Sequence, residues 1–147
     1  MTFPGGERPS GMDEAAAILA ATDYMTLATA DADGVPWATP VWFAPDGERA
    51  LLWLSRPEAR HSRNLLAQPR VAITVFDSRV PSEAAAAVYF EAVAGPADDG
   101  LETYSAYSEE HGRGLWTAAD LGPLLLYRAE ISARWLLPAG ARDRVAY

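Results

Sequence analysis

Between Tyr24 and Ser55 three apolar, β-prone runs follow one another with little room between them. Tyr24–Ala30 (YMTLATA) ends at Asp31-Ala32-Asp33-Gly34, Val35–Phe43 (VPWATPVWF) ends at Pro45-Asp46-Gly47, and Ala50–Ser55 (ALLWLS) follows. Asp/Gly turns of this length cannot carry a helical crossover, so consecutive strands must run antiparallel. The spacing predicts an antiparallel meander of three strands.

The rest of the chain keeps that character. Val71–Phe76 (VAITVF) is nearly all apolar, which predicts a strand buried on both faces. Ala87–Ala94 (AVYFEAVA) alternates, Leu124–Ile131 reads as another strand, and Arg134–Leu137 extends the sheet. Three helices are expected. The first is the Ala-rich Asp13–Ala21, with Ser10 as its capping residue. The second carries Pro57 in its first turn and is stopped by Pro69. In the third, Leu101, Tyr104, Tyr107 and His111 recur near helical spacing. Six or seven strands without βαβ alternation imply a mainly-β fold. The expected form is one antiparallel sheet closed or half-closed into a small barrel, with helices at its ends. Residues 1–10, rich in Pro and Gly, are expected to be a mobile tail, and 11–147 a single domain.

Composition narrows the function. Lys plus Arg is 12 and Asp plus Glu is 20, a net charge of −8, which disfavours nucleic-acid and anionic-membrane partners. The absence of cysteine excludes disulfides and thiol catalysis, and with only two histidines no metal site is expected. The start MTFPGGERPS has no signal-peptide pattern, and no apolar run reaches the roughly 18 residues of a span; a cytoplasmic protein is expected. Walker and G-x-S-x-G patterns are absent, Gly112-Arg113-Gly114 is not a dinucleotide fingerprint, and Ser62 beside His61 is no hydrolase signature.

Two segments carry chemistry. From Leu54 to Leu65 a strand ends in the hydroxyl of Ser55, and the helix that follows bears Arg60, His61 and Arg63. Four Arg and one of the two His fall between positions 56 and 70 of this acidic chain. A strand-end hydroxyl, helix-terminal amides and guanidinium groups are the parts of a phosphate cradle. The same residues also read without a ligand: Ser55 and Glu58 are spaced as a capping box, and Arg60 and Arg63 as a solvated face. In the second segment, Pro36 and Pro40 remove two backbone donors from one edge of their strand, so the sheet should open or end there. Either the remaining donors and the flat face of Trp42 meet a ligand, or this is an ordinary proline-protected edge. Five Trp and six Tyr are many for this length; Trp53 is expected in the core and Trp116 in an interface or pocket wall.

The run YMTLATADADGVPWATPVWF, then LLWLS, then ARHSRNLLAQPRVAITVFDS, resembles the pyridoxamine 5′-phosphate oxidase-like, FMN-binding split-barrel family, with a weaker echo in LLLYRAEISARWLL. The resemblance implies a homodimer of split β-barrels with two FMN sites at the subunit interface. It places Ser55 and the backbone near Leu54 against the FMN phosphate, with Arg60 and His61 as cationic contacts and Arg63 as a further contributor. It runs Thr39, Pro40, Val41 and Trp42 along the isoalloxazine ring. Residues after the fourth strand and around Trp116 would come from the other subunit. The chain departs from true pyridoxamine-phosphate oxidases. Thr39 and Ala44 stand where those carry Arg and Lys, His61 where they carry Lys, and Ala87 where they carry Gln. Their C-terminal substrate motif is reduced to Arg134-Trp135. The expected activity is therefore that of an FMN-dependent oxidoreductase other than vitamin B6 synthesis. It would pass hydride or electrons from a reduced nicotinamide or similar donor to a small organic acceptor or oxygen. No catalytic side chain is assigned, Tyr107 and His111 being candidates only as general acids. The alternatives are a deazaflavin- or haem-binding barrel and a non-catalytic flavin-binding dimer.

Overall fold

The structure, a computed structural model, describes residues 11–147; the expected tail, 1–10, and the capping role of Ser10 lie outside the described residues. Helix α1 (Gly11–Ala21) is followed by strands β1 (Tyr24–Ala30), β2 (Pro36–Trp42), β3 (Ala44–Asp46) and β4 (Ala50–Ser55). Next come α2 (Arg60–Ala67), β5 (Arg70–Phe76), β6 (Ala87–Pro96), α3 (Leu101–Glu110), β7 (Leu125–Leu137) and the two-residue β8 (Val145–Ala146). One antiparallel sheet runs in the order β2-β1-β5-β6-β7-β4-β3, with β8 beside β7. The expected mainly-β barrel with peripheral helices is what the chain forms.

The two ends of that sheet are halves of one bent ribbon. β2 pairs with β1 (Trp37 opposite Thr29, Val41 opposite Met25), while β3, after Phe43, pairs with β4 (Ala44 opposite Leu52). Changing partner at the buried Phe43 curls the sheet round on itself. The barrel stays split between β2 and the last residues of β4, because Pro36 and Pro40 lie on β2 at the end of the sheet path. The expected meander is corrected accordingly: β4 pairs with β7 and β3, not with β2. Pro45, expected in a turn, lies in β3, where an edge strand tolerates it; the reversal is tightened to Gly47 at φ 58°.

Three further differences have local causes. α2 starts at Arg60, so Pro57 and Glu58 precede it; its C-cap Gln68 is extended before Pro69, as the proline stop requires. β5 is covered on one face only: Val71, Ile73 and Val75 are buried, but Ala72 and Phe76 are exposed, because among the described residues no element lies over the outer face. The two segments predicted at 124–131 and 134–137 are one strand, β7. Its register against β6 slips so that Glu91 faces Ala133 and Ala92 faces Ile131. The residue left over, Ser132, donates its hydroxyl to the Glu91 carbonyl at 3.1 Å, a bulge that bends a long strand round the barrel.

The barrel interior holds Met25, Leu27, Phe43, Leu51, Trp53, Ile73, Val75 and Val88. Trp53 is fully buried, as expected, and stacks on Tyr127 with centroids 5.8 Å apart. A second cluster sits outside the sheet. There α3 covers Ala44, Leu52 and Leu126 with Tyr104, and Trp42, Leu54 and Trp116 pack at its border. No helix among the described residues is long and apolar enough to cross a membrane.

Candidate functional site

β4 ends at Ser55 beside the split, and a four-residue turn delivers the first turn of α2 there. The N-cap, Ala59, offers no side-chain cap, so the capping box read from Ser55 and Glu58 does not form. The helical ladder opens with the Arg63 N–H on the Ala59 carbonyl at 2.9 Å. The amides of Arg60, His61 and Ser62 come before it and have no acceptor of their own inside the helix. The Ser55 hydroxyl instead reaches forward to the imidazole: Oγ lies 2.6 Å from His61 Nε2. His61 is partly buried, and that burial lowers its pKa below the ordinary histidine value, favouring the neutral ring. The Arg60 guanidinium lies 4.3 Å over the ring of Trp37, a cation–π contact that bridges α2 and β2 across the split. Arg63 is exposed, one turn along.

A buried chain of polar groups fixes this arrangement. Asn64 Nδ2 donates to Thr29 Oγ1 at 2.9 Å, and the Thr29 hydroxyl points to the Trp37 carbonyl at 3.5 Å. α2 is thus tied to β1 and through it to β2, and Leu65 anchors the same face in the core. Trp37 and Asn64 escaped the reading of the sequence. A usable signal existed for Trp37. It is five residues from Trp42, an odd separation that puts the two rings on opposite faces of a strand, so only one of them can meet α2.

The other expected site residues divide. Thr39, Pro40 and Val41 lie along β2 beside the split, Pro40 exposed and Val41 buried. Leu54, Trp42 and Trp116 belong to the outer cluster under α3. Trp42 meets Tyr104 edge-on at 5.4 Å and carries Arg113 over its ring at 5.1 Å. The Trp116 amide donates to Ser105 Oγ at 2.7 Å. Tyr107 and His111 line a different cavity, about 240 Å³, between α1, the β3–β4 hairpin and α3; α2 contributes nothing to its wall. There His111 stacks on Tyr107 at 3.9 Å and its Nδ1 is 2.7 Å from the Tyr107 carbonyl.

The chain shares its fold with several solved proteins. It is 22% identical to a heme binding protein from Mycobacterium smegmatis, with a TM-score of 0.74 over 97% of this chain and 59% of the other. The chain therefore spans well under two thirds of that protein's length. HutZ, the heme storage protein from Vibrio cholerae, is 24% identical, with a TM-score of 0.64 over 86% of this chain and 92% of the other. An F420 reductase is 26% identical, with a TM-score of 0.58 over 86% of this chain and 98% of the other. No curated protein matches the sequence. The pattern of the pyridoxamine 5'-phosphate oxidase family matches residues 12–134, nearly the whole of the described chain, and the protein belongs to that family.

Proposed function

We propose that the protein is an FMN-binding flavoprotein that works as an oxidoreductase. The observation that carries this reading is the meeting, at the split of the barrel, of two features distant in sequence. One is the Ser55–His61–Arg60 group at the start of α2; the other is the proline-edged strand β2. A phosphate monoester needs unpaired amides, a hydroxyl and cations, and these residues fit it. An isoalloxazine ring needs an apolar strip with backbone left open, which the free edge of Thr39–Trp42 offers. The chemistry supplied by FMN bound there is transfer of hydride or electrons from a reduced nicotinamide or similar donor to a small organic acceptor or oxygen. The chain's own part is to hold the phosphate and shelter the ring.

The reading includes a second copy of the chain. The outer faces of β1, β5 and β6 present Tyr24, Ala72, Phe76 and Val93, small or apolar groups that this chain leaves exposed. Such a face is a natural partner for its own copy.

Titration of the purified protein with FMN, followed by flavin fluorescence, tests the reading. Binding is expected, and Arg60→Ala should weaken it by about 1.5–3 kcal/mol, the worth of a hydrogen bond to a charged group. Protein that stays colourless with FMN overturns the proposal. Deazaflavin or haem is the second reading, favoured by the fold shared with an F420 reductase and two heme proteins. Thermal-shift titration with all three cofactors separates the readings, since each stabilises according to its occupancy.

A further inference from the structure

We infer that an anion bound at the start of α2 draws a proton onto His61, so that its grip tightens on acidification and relaxes as the pH rises. This rests on the proposed phosphate site and adds how that site is regulated.

The argument begins with the pair itself. Ser55 Oγ and His61 Nε2 satisfy one another at 2.6 Å. One hydrogen serves both atoms, and a neutral ring suffices. A phosphate oxygen placed beside them accepts hydrogen bonds but cannot donate, once ionised. Both groups can then donate to it, and its negative charge within hydrogen-bond reach of the ring favours the imidazolium over the neutral Nε2–H form. The proton comes from solvent and leaves to solvent when the anion dissociates, so binding and protonation are linked.

The surroundings leave this transition to the ligand. The helix itself carries Arg60 and Arg63, and the preceding turn carries Arg56 and Glu58. α2 packs on β1, β2 and β6, whose titratable groups are Tyr24, Tyr89 and Glu91. Tyr24 lies under Arg113, Tyr89 lies under Arg144, and Glu91 is exposed on the strand's outer face. Among the described residues no carboxylate forms an ion pair with His61 or Arg60. Partial burial favours the neutral ring, and an ionised phosphate beside it opposes that preference.

The direction follows. The free protein titrates His61 below the ordinary value and the complex titrates it higher. Affinity is full below the free pKa and declines as the pH rises through the pKa of the complex. The phosphate's own second ionisation, near pH 6, runs the other way and must be subtracted.

The experiment measures FMN affinity from about pH 5.5 to 8.5 for the wild type, His61→Lys and His61→Gln, with riboflavin as the ligand lacking phosphate. Calorimetry in two buffers of different ionisation enthalpy counts protons. Relative to His61→Lys, the wild type should match at low pH and weaken by up to about tenfold per pH unit above it. Relative to His61→Gln, it should be tighter at low pH and converge at high pH. Only the wild type should show proton uptake, and riboflavin should show none. Thermal denaturation checks that both variants fold. If FMN binds and Arg60→Ala weakens it, but the three pH profiles run parallel, this inference falls and the phosphate site stands. If FMN does not bind, both fall.

Discussion

Helices α2 and α3 each follow a strand and cover one part of the same sheet, yet they are held in opposite ways. α2 is fixed by a buried polar chain, Asn64 to Thr29 to the Trp37 carbonyl, and keeps its cations at its start, facing the split. α3 is fixed by rings: Tyr104 against Trp42, Tyr107 against His111, and Trp116 pinned through Ser105. The difference separates a helix that presents groups from one that consumes them. Tyr107 and His111, candidates as general acids in the sequence, stack ring on ring, and His111 Nδ1 pairs with the Tyr107 backbone carbonyl. Ser55 and His61 also pair, but beside unpaired helical amides and an arginine with no carboxylate partner among the described residues.

The strongest way to break this contrast is to cut the polar chain under α2. Asn64→Ala leaves the buried Thr29 hydroxyl without its donor, and an unmet buried polar group costs about 1–3 kcal/mol. Urea denaturation should show that loss. FMN affinity should fall with it, because Arg60 is no longer held over Trp37. A variant that loses stability but binds FMN as before would show that the chain supports the fold and not the site.

The matching change under α3 is smaller. Ser105→Ala removes the acceptor of the Trp116 amide at the edge of a partly open loop, where a neutral hydrogen bond is worth about 0.5–1.5 kcal/mol. The denaturation midpoint should drop modestly and FMN affinity should stay within about twofold, that is, under 0.5 kcal/mol. A larger loss of affinity would place the Trp116 loop at the flavin and merge the two regions that the structure keeps apart.

What the sequence made legible follows the range of the forces involved. β1, β4 and the end of α2 were readable because alternation, a Gly turn and Pro69 act within a few residues. The exchange of partners at Phe43 was not, since the β-prone run Val35–Phe43 reads as one strand ending at the Pro45-Asp46-Gly47 turn and carries no local mark that the residues after Phe43 join another strand. The pairing of Ser55 with His61 was hidden by a coincidence of spacing: Ser55 and Glu58 imitate a capping box, and only the late start of α2 at Arg60 frees the hydroxyl. On α3 the buried stripe uses Ser105 and Ser108 among Leu101 and Tyr104, so a search for apolar periodicity saw half of it. The cations of the site were found because they are scarce; the ring and amide that position them were missed because they resemble ordinary core residues.

Tyr104 offers the finest probe of the aromatic side. Burial pushes its phenol up to about 12 from an ordinary 10.0, with the nearby Arg113 opposing the shift. The folded protein therefore holds this proton more tightly than the unfolded chain does. The stability so contributed is complete below pH 10 and is lost as the pH rises to about 12. At neutral pH Tyr104→Phe should change little, since the ring still meets Trp42 edge-on. Between those two pH values the wild type should lose thermal stability faster than the variant, while FMN affinity at neutral pH is the same in both. Parallel alkaline melting curves would mean that the α3 cluster opens to water, and a helix that opens so readily could no longer be set against α2 as the closed one.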